Sequence, residues 1–381
     1  MTALSLHRFL MRFALAGANI FAWIFAFQYF FLVEPDIAHA LARTALLYAL
    51  SQAITCLVTP YGARALRGGA RRMLLYATVS AAAAFAVLGA AFVGVWGGAY
   101  APEALIVFAV ALGIYRALYW IPFELEARAT RASRLPLAGE FVIALAPLAS
   151  GLFIAFAAVA PVWLLDIGAA LIVLSALPIY FMAEVHEGFS WEYRETFAQL
   201  WEPENRTIVT QSFFEGLSGA TLLFFWPIAV FLITGWSYGM LGIILSFTFV
   251  VAILARTFVR KLLRRARLQQ SGFYDAVFAV TPWLFRLSVA TPIGVILADS
   301  YFYTTTPRRM GIDPVAFEQS ADGGSYVDEY TALKEMSLAL GRIVICVVGA
   351  GTALKVSLPV AFVTVISIAA IASVIGVLAY R

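Results

Sequence analysis

The chain consists of long apolar runs that are separated by short polar or glycine- and proline-containing segments. The runs are continuous, whereas the strands of an outer-membrane barrel alternate over short segments. A helix needs roughly 20 apolar residues to cross a bilayer, and it satisfies its backbone polar groups within one segment. The pattern therefore predicts twelve membrane-spanning helices, at residues 9–33, 37–59, 73–96, 104–123, 139–160, 163–182, 209–234, 238–258, 273–289, 291–305, 330–354 and 357–380.

One polar stretch, residues 183–208, is longer than the other connections and lies at the centre of the chain. It separates six predicted helices in residues 1–182 from six in residues 209–381, so two six-helix halves are expected. Apolar residues recur within the stretch at helical spacing, and Ser190 is the expected N-cap. We expect this linker to contain an amphipathic helix on the inner membrane surface.

Composition agrees with an all-α polytopic membrane protein, because 62% of the residues are hydrophobic, 13% are charged and the mean hydropathy is +0.88. Twelve spans would use about 240 residues at about 20 residues each. The remainder is too short for a large soluble domain, which excludes a receptor with a folded ectodomain, a fused ATPase and a nucleic-acid-binding module.

Positive charge is concentrated in alternate connections, and Lys355 is the only basic residue in the others. Basic loops predominate on the cytoplasmic side, so both termini are expected in the cytoplasm. The net charge of +4 follows from these loops and needs no nucleic-acid partner. The basic connections contain Arg64, Arg67, Arg71, Arg72, Arg128, Arg131, Arg134, Arg256, Arg260, Lys261, Arg264, Arg265, Arg267, Arg308 and Arg309.

No cofactor and no metal site is expected. Cys56 and Cys346 lie in separate apolar runs, and His7, His39 and His186 are scattered along the chain. Metal centres bring such ligands together at short, characteristic spacings.

An internal repeat fits the division into halves. The basic loop 61–72 has a counterpart at 256–267, displaced by 195 residues. The same displacement superimposes matching residues: Glu140, Ala144 and Leu145 fall on Glu335, Ala339 and Leu340. A duplicated six-helix unit would produce both agreements.

Two short patterns match motifs of a known family. The matching residues are Gly62, Ala65, Arg67, Gly69 and Arg71 after the second predicted helix, and Leu112 and Arg116 in the fourth. With its two halves, the chain resembles the major facilitator superfamily over its whole length, and uncharacterised bacterial members in particular. It departs from the family pattern at Leu66, where an Asp is usual, and at Tyr119 and Trp120, where Gln and Gly are usual.

The resemblance implies a secondary active transporter in the bacterial cytoplasmic membrane. It would move a small solute by alternating access, with protons as the expected coupling ion, and it would act as a monomer. The loop that contains Gly62, Arg67, Gly69 and Arg71 would gate the cytoplasmic side.

Ionisable residues inside the predicted helices are the candidates for binding or coupling. A charge at the centre of a membrane helix costs about 2.5–3.5 kcal/mol on insertion scales, so such residues usually face the protein interior. The alternative is a static ion pair between helices, and Asp299 or Glu215 is the expected partner of Arg342. The candidates are Arg116, Glu215, Asp299, Glu335 and Arg342.

Two carboxylates have separate expectations. Glu215 is predicted to carry the coupling proton, because a carboxylate in a low-dielectric helix is easily protonated; the alternative is a packing residue. Glu140 is expected to pair with Arg128 or Arg131 in the neighbouring loop.

Polar and aromatic residues within the spans are candidates for the pocket lining, because a buried amide needs a hydrogen-bonding partner. Interhelical contact or ordinary packing is the alternative for each. These residues are Asn19, Gln28, Gln52, Tyr119 and Trp226.

Two other function classes stay open. One is a membrane-embedded enzyme that acts on lipid-linked substrates, with a cation held by acids of the inner face. The other is a scaffold or sensor that keeps a transporter fold without transport. The inner-face acids are Glu124, Glu126, Asp313, Glu318, Asp328 and Glu329.

Overall fold

A computed structural model describes residues 2–93, 100–129, 137–156, 160–186, 188–265, 272–305 and 327–379. All regular structure in these ranges is helical. The helices are α1 (Ala3–Val33), α2 (Ile37–Ala65), α3 (Ala70–Val93), α4 (Ala101–Ala129), α5 (Leu137–Phe156), α6 (Ala160–Ser175), α7 (Tyr193–Gln199), α8 (Arg206–Ala220), α9 (Trp226–Ile233), α10 (Tyr238–Arg265), α11 (Gly272–Leu287), α12 (Pro292–Thr305), α13 (Val327–Lys355) and α14 (Leu358–Ala379).

The helices match the predicted spans. Ten helical segments are long and apolar enough to cross a membrane, and α8 and α9 together form one of them. The shorter α11 and α12 lie where the ninth and tenth spans were predicted. Many large apolar side chains point outward from the bundle, as in a protein whose outer surface meets lipid.

A π-helical turn, Thr221–Phe225, joins α8 to α9. Pro227 follows it and has no N–H to donate to the preceding turn, so the regular hydrogen-bond ladder is interrupted there. The structure accommodates this interruption by widening the helix.

Six helices precede the linker, and six helical segments follow it, with α8 and α9 as one segment. We call them the first set and the second set, and two helix pairs make most of the contact between them. The joining pairs are α2 with α13 and α5 with α10. At the second pair the backbones nearly touch: a Cβ atom on Gly151 would lie 2.5 Å from the Tyr238 carbonyl oxygen, and one on Gly242 would lie 2.4 Å from that of Pro147. Only glycine allows so close an approach.

Aromatic packing closes the bundle at the end where α1 stops, called here the opposite end. Trp236, in the turn between α9 and α10, has a φ of 67°, which is a strained backbone conformation for a residue with a side chain. Its ring lies 4.8 Å from that of Phe31, 5.5 Å from that of Phe27 and 5.6 Å from that of Phe231. The packing of the ring on α1 holds the turn in place.

The linker helix α7 is shorter than expected and has a different cap. Glu192 is the N-cap and forms a capping box with Glu195, so the expectation that Ser190 caps the helix is wrong. The Ser190 hydroxyl donates instead to the Glu329 carboxylate at 2.7 Å. Tyr193 turns toward α2, where its ring lies 4.4 Å from that of Tyr61.

Candidate functional site

Aromatic rings from both sets meet at the middle of the bundle. The Trp23 ring of α1 lies 5.0 Å from the Tyr48 ring of α2, 5.1 Å from the Phe108 ring of α4 and 5.9 Å from the Phe224 ring of the π-helical turn. Phe224 also stacks on Tyr48 at 4.9 Å. The widened turn therefore brings a side chain of the second set onto α1 and α2.

Two buried arginines, one from each set, contact α2 at Tyr48 or one turn beyond it, at Gln52. Arg116 of α4 is 4% exposed, and its Nη1 lies 3.4 Å from the Tyr48 hydroxyl oxygen. Its guanidinium also lies 5.4 Å from the centre of the Tyr48 ring. Arg342 of α13 is 2% exposed and donates to Gln52 Oε1 at 3.1 Å. Both arginines lie near the middle of their helices.

Both arginines contact the same turn of α2. Tyr48 and Gln52 are four residues apart and therefore lie on one face of the helix. We call the group Trp23, Tyr48, Gln52, Arg116, Phe224 and Arg342 the central junction. The sequence predicted Arg116, Arg342 and Gln52 as candidates but not Trp23, Tyr48 or Phe224, because aromatic residues are common along the whole chain.

Asp299 does not pair with Arg342, contrary to one of the two expected pairings. Its Oδ1 accepts hydrogen bonds from Arg286 Nε at 3.0 Å and Nη2 at 2.7 Å. Its Oδ2 accepts one from Trp226 Nε1 at 2.9 Å. Asp299, Trp226 and Arg286 thus form an ion-pair cluster between α9, α11 and α12, within the second set.

Arg286 is the residue that the sequence reasoning missed. Its guanidinium is fully buried and lies 4.3 Å from the centre of the Phe302 ring and 4.7 Å from that of Trp283. Its place in the last turn of a short helix is typical of an interfacial arginine. Only the neighbouring carboxylate and rings show that it belongs to the protein interior.

The other two candidate carboxylates lie on different helices. Glu215 of α8 is half-buried and accepts a hydrogen bond from Gln211 Nε2 at 3.0 Å, so it does not pair with Arg342 either. Glu335 of α13 is buried two turns from Arg342, on the same side of that helix. Its neighbour Met336 packs among the residues that join α2 to α13.

Three of the predicted pocket residues lie away from the central junction. The Tyr119 hydroxyl is 3.1 Å from His7 Nε2, inside the first set. Gln28 accepts a hydrogen bond from Tyr238 near the opposite end, beside an apolar cavity of about 300 Å³. Trp226 belongs to the ion-pair cluster. Asn19 is half-buried four residues before Trp23, and so lies on the face of α1 that meets the junction.

Three residues of the predicted gating loop contact the linker. Arg71 Nε lies 2.9 Å from Glu184 Oε2, and Arg67 donates to the Phe189 carbonyl oxygen at 3.3 Å. Gly69 has a φ of 108°, and a Cβ atom there would collide with the Glu184 carboxylate. We call this end of the bundle the basic end. Gly62 lies apart from these contacts, where α2 passes close to α4.

The linker also reaches between the two sets. The Phe189 side chain is 1% exposed and packs in a cluster of apolar residues from α2, α3, α4 and α13. The next residue, Ser190, binds Glu329 of α13. Phe189 therefore fills the space between the sets at the basic end, a role that the sequence reasoning did not assign to it.

Glu140 has a different partner from the expected ones. Arg12 of α1 donates from Nη1 at 2.8 Å and from Nη2 at 3.0 Å to its two carboxylate oxygens. The expected partners, Arg131 and the side chain of Arg128, lie outside the described residues. A forked pair of this kind ties α1 to α5 within the first set.

Comparison with solved structures identifies the fold. The chain is similar to a bacterial homologue of the iron transporter ferroportin in an inward-facing state, with 13% identity, a TM-score of 0.64 and coverage of 99% of this chain and 97% of that one. It is also similar to a D-xylose-proton symporter, with 14% identity, a TM-score of 0.64 and coverage of 99% of this chain and 95% of that one. The nucleoside transporter NupG matches with 13% identity, a TM-score of 0.60 and coverage of 100% of this chain and 99% of that one. No family model and no curated protein matches the sequence. The chain is a multi-pass membrane protein with the major facilitator fold, which confirms the prediction.

Proposed function

We propose that the protein is a secondary active transporter that moves a small solute across the bacterial cytoplasmic membrane by alternating access. The central junction is the observation that carries the proposal. It lies between the two sets of helices, near the middle of the bundle, and contains a buried arginine from each set. A site at the interface between two helical halves becomes accessible from either side when the halves rock against each other.

The comparisons support this reading. The ferroportin homologue that this chain resembles has been solved in outward-facing and inward-facing states, so this fold supports both. In the present chain the two sets meet at the basic end through Phe189 and at the opposite end through Trp236. We propose that these contacts open in alternation, with the basic end and both termini in the cytoplasm and the monomer as the working unit.

Proton coupling is assigned to Glu215. Its carboxylate is half-buried beside an uncharged amide, Gln211, so the protonated form loses no ion pair. Gain and loss of a proton there would change the charge on α8, next to the helix interface with α13.

The test is solute-driven proton movement in proteoliposomes under a pH gradient. Glu215→Gln keeps the shape and the hydrogen bond but cannot titrate. Glu204→Gln, an exposed position beside the start of α8, is the matched control. We expect a solute-dependent proton signal in the wild type and the control and none in Glu215→Gln. A full signal in Glu215→Gln would remove the coupling role and leave transport in place.

A further inference from the structure

The central junction contains two buried hydrogen-bond donors that the protein does not satisfy. In the described part of the chain, Trp23 Nε1 and Gln52 Nε2 are buried and have no hydrogen-bond partner. An indole N–H and a guanidinium are donors only, and the free end of the Gln52 amide is also a donor. An unsatisfied buried donor costs about 1–3 kcal/mol, so a ligand that accepts from these atoms would be favoured.

Both charged side chains of the central junction are arginines. Arg116 Nη1 lies near the Tyr48 hydroxyl oxygen and Arg342 Nη1 donates to Gln52 Oε1, so each permanently charged guanidinium adjoins the junction. The carboxylate of Asp299 lies elsewhere, neutralised by Arg286. The guanidinium fork matches carboxylate and phosphate oxygens, and aromatic rings offer flat faces to a planar body.

We infer that the transported solute is an organic anion, a carboxylate or a phosphate ester, that binds at the central junction. This inference rests on the proposed function. The anionic group accepts hydrogen bonds from Arg116 of the first set and from Arg342 of the second, replacing Tyr48 and Gln52. Its apolar or aromatic part lies against Trp23, Tyr48 and Phe224. An anion held by both sets at once would stabilise the closed state of the bundle. A transporter must couple the formation of that state to the binding of its solute.

The test compares solutes that share a ring and differ in charge. Benzoate, phenyl phosphate, benzyl alcohol and benzylamine are titrated against the purified protein, with lactate, succinate and glycerol 3-phosphate as further anions, and thermal unfolding reports binding. The first two compounds also separate a carboxylate site from a phosphate site. We expect anions of one or both kinds to stabilise the wild type and the neutral and cationic compounds to leave it unchanged.

Variants locate the site. Arg116→Gln and Arg342→Gln should each weaken anion affinity about 10- to 100-fold, which is the value of a hydrogen bond to a charged group. Arg342→Lys keeps the charge without the fork, should bind with intermediate affinity and remains informative if the Gln variant does not fold. Arg43→Gln, which removes an exposed arginine that pairs with Glu34 and does not belong to the junction, is the matched control and should bind as the wild type does.

The inference is overturned if no anion stabilises the protein, if benzylamine or benzyl alcohol does so as well as benzoate, or if both Gln variants retain full affinity. Uptake in proteoliposomes separates this inference from the proposed function. Uptake of a cationic or neutral solute without an anion would overturn the anion assignment and keep transport, whereas anion binding at the junction without any uptake would keep the assignment and overturn transport.

Discussion

Arg286 and Asp299 show how a membrane helix bundle holds a buried charge. Two hydrogen bonds from Arg286 to Asp299 Oδ1, the Trp226 indole and the surrounding rings replace part of the water that both groups lose on burial, and Arg286 Nη1 stays without a hydrogen-bond partner. The arrangement is local to the second set, so its expected contribution is to stability. Arg342 of the central junction differs, because its guanidinium donates to Gln52 of the other set.

Asp299→Asn should lower the free energy of unfolding by about 3–5 kcal/mol, because it leaves the Arg286 guanidinium buried without a counter-charge. Equilibrium unfolding in detergent measures the change. Asp36→Asn, at an exposed carboxylate that caps α2, is the control and should change the free energy of unfolding little, because Asn caps a helix about as well as Asp does. Equal losses in the two variants would show that the buried pair has no special role.

Residue-level chemistry was only partly predictable from the sequence. Hydrophobicity singles out Arg116, Asp299 and Arg342 because charges are rare within apolar runs. It cannot show which charges meet: Asp299 pairs with Arg286 rather than Arg342, and Glu140 pairs with Arg12 of α1, which no sequence pattern indicated. Such pairing depends on how neighbouring helices are rotated, which the order of residues along one helix does not specify.

At the scale of elements, the linker acts as more than a connection. Its segment before α7 is held by Arg67 and Arg71 of the first set and by Glu329 of the second. Phe189 is buried between them. The linker would therefore have to release at least one of these contacts whenever the basic end opens.

Phe189→Ala should favour opening at the basic end, because it removes a fully buried ring from the contact between the sets. Cys56 is a native reporter, since it is buried where α2 meets α13. Truncating a buried Phe to Ala costs roughly 3–5 kcal/mol, and part of that loss destabilises the closed state relative to the open one. In a Cys346→Ala background, we therefore expect alkylation of Cys56 to become about tenfold faster.

Trp201→Ala is the matched control for this experiment. Trp201 is an aromatic residue of the same linker, but its side chain is largely exposed. Its removal should leave Cys56 alkylation unchanged. An unchanged rate in Phe189→Ala would mean that Phe189 does not hold the basic end closed.

The positions of the elements were largely predictable, because the length of an apolar run and the thickness of a bilayer together define a spanning helix. Details that depend on local hydrogen bonds were less predictable from the sequence. The cap of α7 falls at Glu192 because Glu195 completes a capping box, and the kink at Pro227 takes the form of a π-helical turn. That turn places Phe224 against Tyr48, a contact between the sets that no sequence pattern indicated.

At the scale of the whole molecule, the two sets are in contact at both ends, around a central group of arginines and aromatic rings. The described residues thus show a closed bundle with a donor-rich centre. Alternating access requires that the contacts at the basic end break during each cycle. Cys56 of α2 and Ala339 of α13 belong to one apolar cluster, about one turn from Gln52 and Arg342 on the side of the basic end, so a short cross-link between them would hold the two sets together on that side.

The most direct test is uptake of the anion that binds best, measured in proteoliposomes that contain Ala339→Cys in a Cys346→Ala background, before and after cross-linking to Cys56 through a reducible spacer. The account predicts that uptake is present before cross-linking, stops when the link forms and returns on reduction, while the same reagent leaves the variant without Ala339→Cys unaffected. Uptake that continues at full rate in completely cross-linked protein would contradict alternating access through the central junction.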